Sequence, residues 1–376
     1  MKKICMAAAV ALMMGVTVSN VLAATKHTQA KQLDKYLYEM TYTDYDYTDY
    51  KDNLVKSHYY GKFACSSVHN GRYFGRNFDF FYNDVPQYVI HVPAAEGRYA
   101  SMGLAYPFAF KLESDMDEQD WKVLPWHMLD GVNEKGVGVN INVCPINDME
   151  SYIAPEGTNP KAKVEVDMLT VVRYLLDNAK SAKHGLKLLQ EANIVENFTK
   201  HPVFAKSGFG LHLMVCDQKH NYVVEFVNNK LQYVEENVMT NFLNTLPEYT
   251  NHSTGIERYN VLKDYYDLGG QSMEGMTKLM RKAMYSLCYS PDTKPVRYTD
   301  FYLGYNKDIG EDITLKKLYG STGLRMQALD FLQEVKVVRN DPRIWITTST
   351  SIYDLHKKKW HLYIQENYNK RYEFAL

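Results

Sequence analysis

The strongest structural restriction in this sequence lies in one cysteine-containing segment, Ala64 to Phe80. Two strand-like runs flank its centre, His69-Asn70-Gly71-Arg72, and an Asn-Gly pair favours a tight β-hairpin because both residues tolerate positive φ. Counting outward from the centre predicts that Cys65 lies opposite Arg76. Opposed side chains on paired strands are about 5 Å apart at Cβ, so this register predicts a guanidinium beside a thiol whose pKa is lowered toward a reactive thiolate.

The same segment carries a motif in which Cys65 is followed, after the hairpin, by Gly75-Arg76-Asn77 and Asp79. This motif resembles the start of the choloylglycine hydrolase family, which includes bile salt hydrolases, penicillin V acylases and acid ceramidase-type amidases. In that family the cysteine becomes the first residue of the mature chain, where its thiol is the nucleophile and its own α-amine is the base. Cys65 is internal in this chain, so the resemblance implies scission between Ala64 and Cys65.

Later parts of the chain extend the resemblance. A turn beginning Asp130-Gly131 and continuing Val132-Asn133-Glu134-Lys135-Gly136 leads into the strand-like run from Val137 to Cys144, whose apolar residues alternate with Gly and Asn. The family carries the same turn and strand, and the later Leu-His-x-Met and Thr-Asn sequences, at 211–214 and 240–241, are also similar to it. The resemblance implies an α+β fold, the four-layer αββα sandwich of the N-terminal nucleophile hydrolases.

The resemblance also implies roles for site residues. Asp79 matches the family's partner of the α-amine, and Asn241 matches the asparagine whose side-chain amide donates to the oxyanion. A backbone N–H at Val143, with Asn142 beside it, matches the second oxyanion donor, and Arg258 matches an arginine that supports the site. The predicted catalytic residues are Cys65, Arg76, Asp79, Asn241 and Arg258.

The chemistry of amide hydrolysis fits a chain-terminal cysteine. The reaction needs a nucleophile, a base that returns its proton to the leaving amine, and donors for the oxyanion. An α-amine titrates near ~7.7 to 8.0, whereas an internal amide nitrogen cannot act as a base. The thiol can also attack the carbonyl that precedes it, so scission is expected to be autocatalytic. A three-residue offset puts Arg76 and Asp79 on opposite faces of a regular strand, so we expect a bulge or a strand end there.

Three other functions stay open at this point. A papain-like hydrolase would pair Cys65 with His127 or His212, although His212 lies inside an apolar strand typical of a core position. An acyltransferase would use the same thioester with an acceptor other than water. A secreted binding protein on an inactivated hydrolase scaffold would need no intact set of catalytic residues, which this chain has.

The region before Cys65 has the features of an exported precursor. Lys2 and Lys3 precede an apolar run ending in Val21-Leu22-Ala23, which indicates a secretory signal peptide over residues 1–23 and a secreted or periplasmic protein. Residues 24–64 are predicted to be a pro-segment and residues 65–376 the amidase domain. Within the pro-segment, apolar spacing predicts a helix over Lys31–Met40, and the Tyr/Asp-rich run from Tyr42 to Tyr50 is expected to be solvated.

Composition restricts the partners. The net charge of −1 implies no nucleic acid, and no stretch after residue 25 is long and apolar enough to span a membrane. The expected partner is a small-molecule N-acyl amide, and homo-oligomer formation stays open. Cys144, Cys216 and Cys288 lack the spacing of a zinc site, and no metal or other cofactor is predicted. An oxidising compartment would allow one disulfide among them, but they are expected to be small buried hydrophobic residues.

Overall fold

The hairpin that contains Cys65 forms the centre of a sheet-rich structure. The computed structural model describes residues 26–45, 64–80, 86–106, 118–145, 153, 156–196, 209–246, 255–284, 302–306, 311–314 and 346–376. The predicted signal peptide and Cys288 lie outside these residues. The described strands are β1 (Lys26–His27), β2 (Lys31–Asp34), β3 (Leu37–Asp44), β4 (Ala64–His69), β5 (Tyr73–Phe80), β6 (Gln87–Val92), β7 (Ser101–Ala105), β8 (Met128–Asn133), β9 (Gly138–Pro145), β10 (Glu165–Asp167), β11 (Asn193–Val195), β12 (Phe209–Cys216), β13 (Asn221–Val227), β14 (Lys230–Val234), β15 (Val238–Met239), β16 (Tyr302–Asn306), β17 (Glu311–Thr314), β18 (Ile346–Asp354), β19 (Lys359–Ile364) and β20 (Tyr372–Ala375).

Helices cover the outer faces of the sheets. The described α-helices are α1 (Glu118–Val123), α2 (Val171–Asn178), α3 (Ala182–Glu191), α4 (Ile256–Asp264) and α5 (Met273–Lys282), and short 3₁₀ helices span Leu124–Trp126 and Tyr266–Gly269. Ser181 caps α3 by accepting a hydrogen bond from the His184 N–H at 3.1 Å, a position at which serine is favoured. In α5, Met276, Leu279 and Met280 are fully buried, so this face of the helix belongs to the core.

Two sheets make the inner layers. The larger has ten strands in the order β1-β3-β6-β7-β8-β9-β12-β13-β14, with β2 paired to β3, and the smaller has the order β15-β4-β5-β18-β19-β20. Helices α2 and α3 pack on strands of the larger sheet, α4 and α5 pack on strands of the smaller one, and β4 contacts β9 between the sheets. This arrangement is the predicted four-layer αββα sandwich.

Aromatic stacking fills the space between the sheets. Tyr353 lies between Phe74 and Trp360, with ring centroids 5.7 Å and 5.2 Å away, and all three side chains are fully buried. On the opposite face of β5, Gly75 lies against α5, where a Cβ atom would come within 2.9 Å of the Met280 side chain. Strand β5 is therefore buried on both faces, because a sheet packs on one side and a helix on the other.

The predicted helix over Lys31–Met40 is wrong. This stretch forms β2 and β3, which pair with each other, and β3 also pairs in parallel with β6. Leu37 belongs to the core between the sheets and Met40 to the core beneath α2 and α3, an alternation that a strand produces. The same apolar spacing fits one helix face, and only the edge of β6, distant in sequence, selects the strand.

The expectation of a solvated run after Met40 is also wrong for its described part. Tyr42 and Tyr45 are 0% and 1% exposed. The Tyr42 hydroxyl donates to the Trp121 carbonyl at 2.7 Å, so this polar-looking sequence buries its rings and satisfies their hydroxyl groups. Among the described residues, no helix is long and apolar enough to cross a membrane.

Candidate active site

Cys65 is the second residue of β4, and its side chain is fully buried. Its sulfur lies 3.2 Å from Nη2 of Arg76, and the same nitrogen donates to the Ile141 carbonyl at 3.0 Å. The other terminal nitrogen of Arg76 forms an ion pair with Asp130 at 2.9 Å. A wholly buried guanidinium thus connects the thiol to two strands of the larger sheet.

The predicted register of the hairpin is wrong by two residues, although the contact it predicted is present. Cys65 pairs with Phe78, and Arg76 pairs with Ser67. The turn lies one residue later than predicted, because it closes over Gly71-Arg72 rather than Asn70-Gly71, with Gly71 at φ +86° and the Asn70 N–H bonded to the Tyr73 carbonyl at 3.1 Å. A shift of two keeps every side chain on its face, so Arg76 reaches the sulfur diagonally.

The expected lowering of the thiol pKa is also wrong for this uncut chain. Burial raises the pKa of Cys65 to about 11, and the Asp79 charge adds to this, whereas the charges of Arg76 and Arg258 oppose it. Desolvation disfavours the thiolate more strongly than the guanidinium favours it. The thiol is therefore neutral in the uncut chain and needs a base to take its proton.

The backbone nitrogen of Cys65 faces a second group of side chains. It donates to Oδ1 of Asn241 at 2.9 Å, and Nη2 of Arg258 donates to the same oxygen. Nη1 of Arg258 binds Asp79 at 2.5 Å, and the Thr347 hydroxyl donates to the other oxygen of that carboxylate at 2.7 Å. The nitrogen that scission would convert to an amine is thus linked through Asn241 and Arg258 to Asp79.

Local packing explains how Arg258 reaches this position. Asn241 follows β15, which pairs with β4, so it arrives beside Cys65. Gly255, at the start of α4, lies so close to the Asn241 backbone that a Cβ atom would come within 2.5 Å of the Asn241 nitrogen. The Thr240 hydroxyl also donates to the Gly255 carbonyl at 2.8 Å. A glycine at this contact lets the first turn of α4 dock directly on Asn241.

Arg76 and Asp79 lie on opposite faces of β5. Arg76 contacts the sulfur of Cys65, whereas Asp79 is linked to the nitrogen of Cys65 through Arg258 and Asn241. Arg76 faces the larger sheet and the sulfur, whereas Asp79 faces α4. The bulge or strand end expected between them in β5 is absent, since β5 pairs with β4 without a register shift, and the shift lies instead in the partner strand β18, between Thr347 and Ser349. Burial raises the pKa of Asp79 to about 6, while Arg258 and Thr347 lower it.

The predicted oxyanion donors meet at the edge of β9. The Val143 carbonyl accepts from Nδ2 of Asn241 at 2.5 Å. In an antiparallel strand the N–H and C=O of one residue point to the same side, so the Val143 N–H lies on that edge as well. The backbone N–H of Asn142 points to the opposite edge of β9, where β12 pairs with it. The side chain of Asn142 donates to the Ser67 hydroxyl at 3.3 Å. Of these two neighbours, the geometry favours Val143 as the donor.

Neither histidine of the papain-like alternative contacts the Cys65 sulfur. One ring nitrogen of His212 hydrogen-bonds to the Glu225 carboxylate at 3.2 Å, and the other hydrogen-bonds to the Thr240 carbonyl at 2.7 Å. His127 is buried, and burial lowers its pKa to about 3. The groups that shift the pKa of the thiol most, besides burial, are Arg76, Asp79 and Arg258.

Several residues around the site were missed by sequence reasoning. Asp130 holds Arg76 and accepts hydrogen bonds from the Tyr353 hydroxyl at 2.5 Å and the Ser351 hydroxyl at 3.3 Å. Its position at the head of the turn motif was a usable signal. Thr347, Ser351 and Tyr353 gave none, because they reach β5 only when β18 pairs with it.

The described cysteines and acidic side chains add no further site. Cys144 and Cys216 are buried free thiols, as predicted. Within the described ranges, no cluster of three or more His, Cys, Asp or Glu side chains is arranged to hold a metal ion.

Comparisons with known proteins identify the family of this chain. The family model described as "Linear amide C-N hydrolases, choloylglycine hydrolase family" matches residues 64–371. Similar solved structures include a mutant conjugated bile acid hydrolase from Clostridium perfringens, with 19% identity, coverage of 83% of this chain and 92% of that chain, and a TM-score of 0.45. Another is penicillin V acylase from Agrobacterium tumefaciens, with 14% identity, coverage of 87% and 84%, and a TM-score of 0.36. No curated protein gives a significant match.

Proposed function

Because this chain belongs to the choloylglycine hydrolase family of linear amide C–N hydrolases, we propose that it hydrolyses N-acyl amines or N-acyl amino acids, such as conjugated bile salts, with Cys65 as nucleophile. It matures by scission between Ala64 and Cys65. The observation that carries this proposal is the environment of Cys65, whose sulfur contacts Arg76 while its nitrogen is held by Asn241. The N-terminal leader supports export, so we further propose that the enzyme acts outside the cytoplasm.

Maturation begins with attack of the Cys65 thiol on the Ala64 carbonyl. The peptide C–N bond breaks, the acyl group of Ala64 moves to sulfur as a thioester, and the thiol proton goes to the departing Cys65 nitrogen. Water then hydrolyses the thioester and frees the thiol. Asn241 already accepts a hydrogen bond from this nitrogen, so the new amine keeps its position.

Turnover repeats this chemistry on the substrate amide. The free amine takes the proton of the thiol, which removes the obstacle of a buried thiol with a pKa of about 11. Arg76 stabilises the sulfur as it becomes negative, and the Val143 N–H with Nδ2 of Asn241 donates to the oxyanion. The amine returns its proton to the leaving amine, and water releases the acyl group from the thioester.

Intact-mass measurement and a substrate panel test this function together. We expect purified active protein to contain a chain that begins at Cys65 and to hydrolyse at least one class among glycine and taurine conjugates of bile acids, fatty acyl amides and phenoxyacetyl amides. Release of the free amine by each substrate is the readout. Full activity in protein that retains the Ala64–Cys65 bond would contradict the proposal.

Maturation should depend on pH through Asp79. Its carboxyl group has a pKa raised to about 6, so its charged form, which Arg258 and Thr347 bind, predominates only above that pH. We expect the scission rate of freshly refolded precursor to rise between pH 5 and 7 with a midpoint near about 6. Mass spectrometry over time gives the rate. In Asp79→Asn this rise should be absent, and an unchanged midpoint in that variant would assign it to another group.

Glu225 should affect catalysis by fixing the segment that contains Asn241. Its buried carboxylate accepts from His212 and from the backbone N–H groups of Asn244 and Thr245, at 2.7 Å and 2.9 Å, while His212 holds the Thr240 carbonyl. We expect Glu225→Gln to lower kcat about 10- to 100-fold with a smaller change in KM, because hydrogen bonds to a charged group are worth about 1.5–3 kcal/mol.

The matched control is Glu235→Gln, which removes the same charge from an exposed position ten residues later. It should leave kcat within about twofold, as surface charges contribute little. A kcat of Glu225→Gln equal to that of this control would show that the buried carboxylate does not position Asn241.

A further inference from the structure

We propose that residues 24–64 remain bound after the cut, as a separate chain that donates strands to the larger sheet, so the mature enzyme is a non-covalent complex of two chains. This inference rests on the proposed scission before Cys65. It differs from the sequence-based expectation of a pro-segment that is removed, because the described part of that segment is an integral part of the fold.

Strand β3 is the main attachment. It pairs in parallel with β6 over Leu37–Thr41 and Gln87–His91. Leu37 and Met40 are 0% and 2% exposed, and they enter the apolar cores on opposite faces of the sheet. Loss of this strand would uncover both cores and leave the backbone of β6 as an open sheet edge.

A buried polar cluster depends on the same segment. The Tyr45 hydroxyl donates to the Asp177 carboxylate at 2.8–2.9 Å, and Asp177 forms a fully buried ion pair with Arg173 at 2.7 Å. The guanidinium of Arg98 stacks over the Tyr45 ring at 4.6 Å. Departure of the segment would remove the Tyr45 hydrogen bond from the buried Asp177 carboxylate and the Tyr45 ring from the buried Arg98 guanidinium. Both losses would lower the stability of the remaining chain.

A further contact joins the segment to the smaller sheet. Asp34 binds both Lys370 and the Tyr372 hydroxyl, and these two partners lower the pKa of Asp34 to about 2. Residues 24–64 contain no cysteine, since the nearest ones are Cys5 and Cys65 itself. No disulfide can therefore tie the cut segment to the rest, and retention has to come from non-covalent contacts such as these.

Native and denaturing mass spectrometry of the processed, C-terminally tagged enzyme tests the proposal. We expect a 1:1 complex under native conditions that separates into two polypeptides when denatured, the larger beginning at Cys65. Fully active enzyme that is cut before Cys65 and lacks residues 24–64 would refute this inference but not the proposed maturation. Active enzyme with an intact Ala64–Cys65 bond would refute both this inference and the proposed maturation, so the two failures are distinguishable.

A pair of mild variants tests the contact itself. Tyr45→Phe removes only the hydroxyl that binds Asp177, and Tyr36→Phe makes the same change at a half-buried ring of the same segment. Size-exclusion chromatography in urea measures the urea concentration at which half of the 24–64 segment has been released. We expect this midpoint to be about 0.5–1 M lower for Tyr45→Phe and unchanged for Tyr36→Phe. Equal release midpoints in both variants and the parent would refute the role of Tyr45 in retention.

Discussion

Replacing Cys65 by alanine is expected to abolish both scission and turnover, with kcat falling about 10,000-fold or more. The sulfur is the nucleophile in both proposed reactions, and no other described thiol or histidine contacts Arg76 in its place. Intact mass and amine release from the best substrate measure the two effects. Because the side chain is buried and small, the fold should tolerate the change, and far-UV circular dichroism should be unaltered.

Cys216→Ala is the matched control. This thiol is equally buried and free, but it lies in β12, where its sulfur contacts the Gly138 carbonyl at 3.5 Å. It should keep normal scission and turnover within about threefold, because removal of a small buried side chain alters stability more than chemistry. Comparable losses in both variants would mean that Cys65 acts through packing rather than as the nucleophile.

Arg76→Gln should cause the second largest loss. The guanidinium contacts the thiol and neutralises Asp130 in a fully buried site, so its removal leaves an uncompensated buried carboxylate. We expect the free energy of unfolding to fall by about 3–5 kcal/mol, as for other broken buried ion pairs. We also expect kcat/KM to fall about 100- to 1000-fold, because the developing thiolate loses its stabilising charge. Urea unfolding and initial rates measure the two quantities.

The double variant Arg76→Gln/Asp130→Asn separates these effects. It replaces both charges by neutral groups that can still hydrogen-bond each other, so most of the lost stability should return. Activity should not return, since the charge beside the Cys65 sulfur is still absent. Recovery of kcat/KM together with stability would show that Arg76 supports the fold but not the chemistry.

Local signals in the sequence were sufficient for much of the site. The hairpin placed Arg76 near Cys65, and the family resemblance of the hairpin, the Asp130 turn and the Thr240-Asn241 pair added Asn241; the structure brings these three residues together. The register of the hairpin was wrong because the sequence does not reveal which two residues form the turn, and a turn one residue later shifts the pairing by two. Arg76 still lies beside the thiol, because a register shift of two residues leaves its side chain on the same face of the sheet as Cys65.

Long-range pairing accounts for what sequence reasoning missed. Leu37 and Met40 fit a helix face as well as a strand, and only the distant edge of β6 decides between them. The thiol pKa was misjudged for a similar reason, because the depth of burial of Cys65 depends on the whole fold and outweighs its neighbouring guanidinium. Thr347 and Tyr353 entered the site through β18, more than 250 residues after the hairpin.

The division of labour between the two faces of β5 has an evolutionary consequence. Substitutions beneath α4, around Arg258, would act first on the hydrogen bonds at the nitrogen of Cys65, whereas substitutions around Asp130 and Tyr353 would act first on the charge beside its sulfur. The separation is incomplete, because the charges of Asp79 and Arg258 also shift the pKa of the Cys65 thiol. Descendants of such a scaffold could therefore change the two sets of hydrogen bonds through separate mutations, whereas any mutation that alters a charge beneath α4 would change the thiol as well.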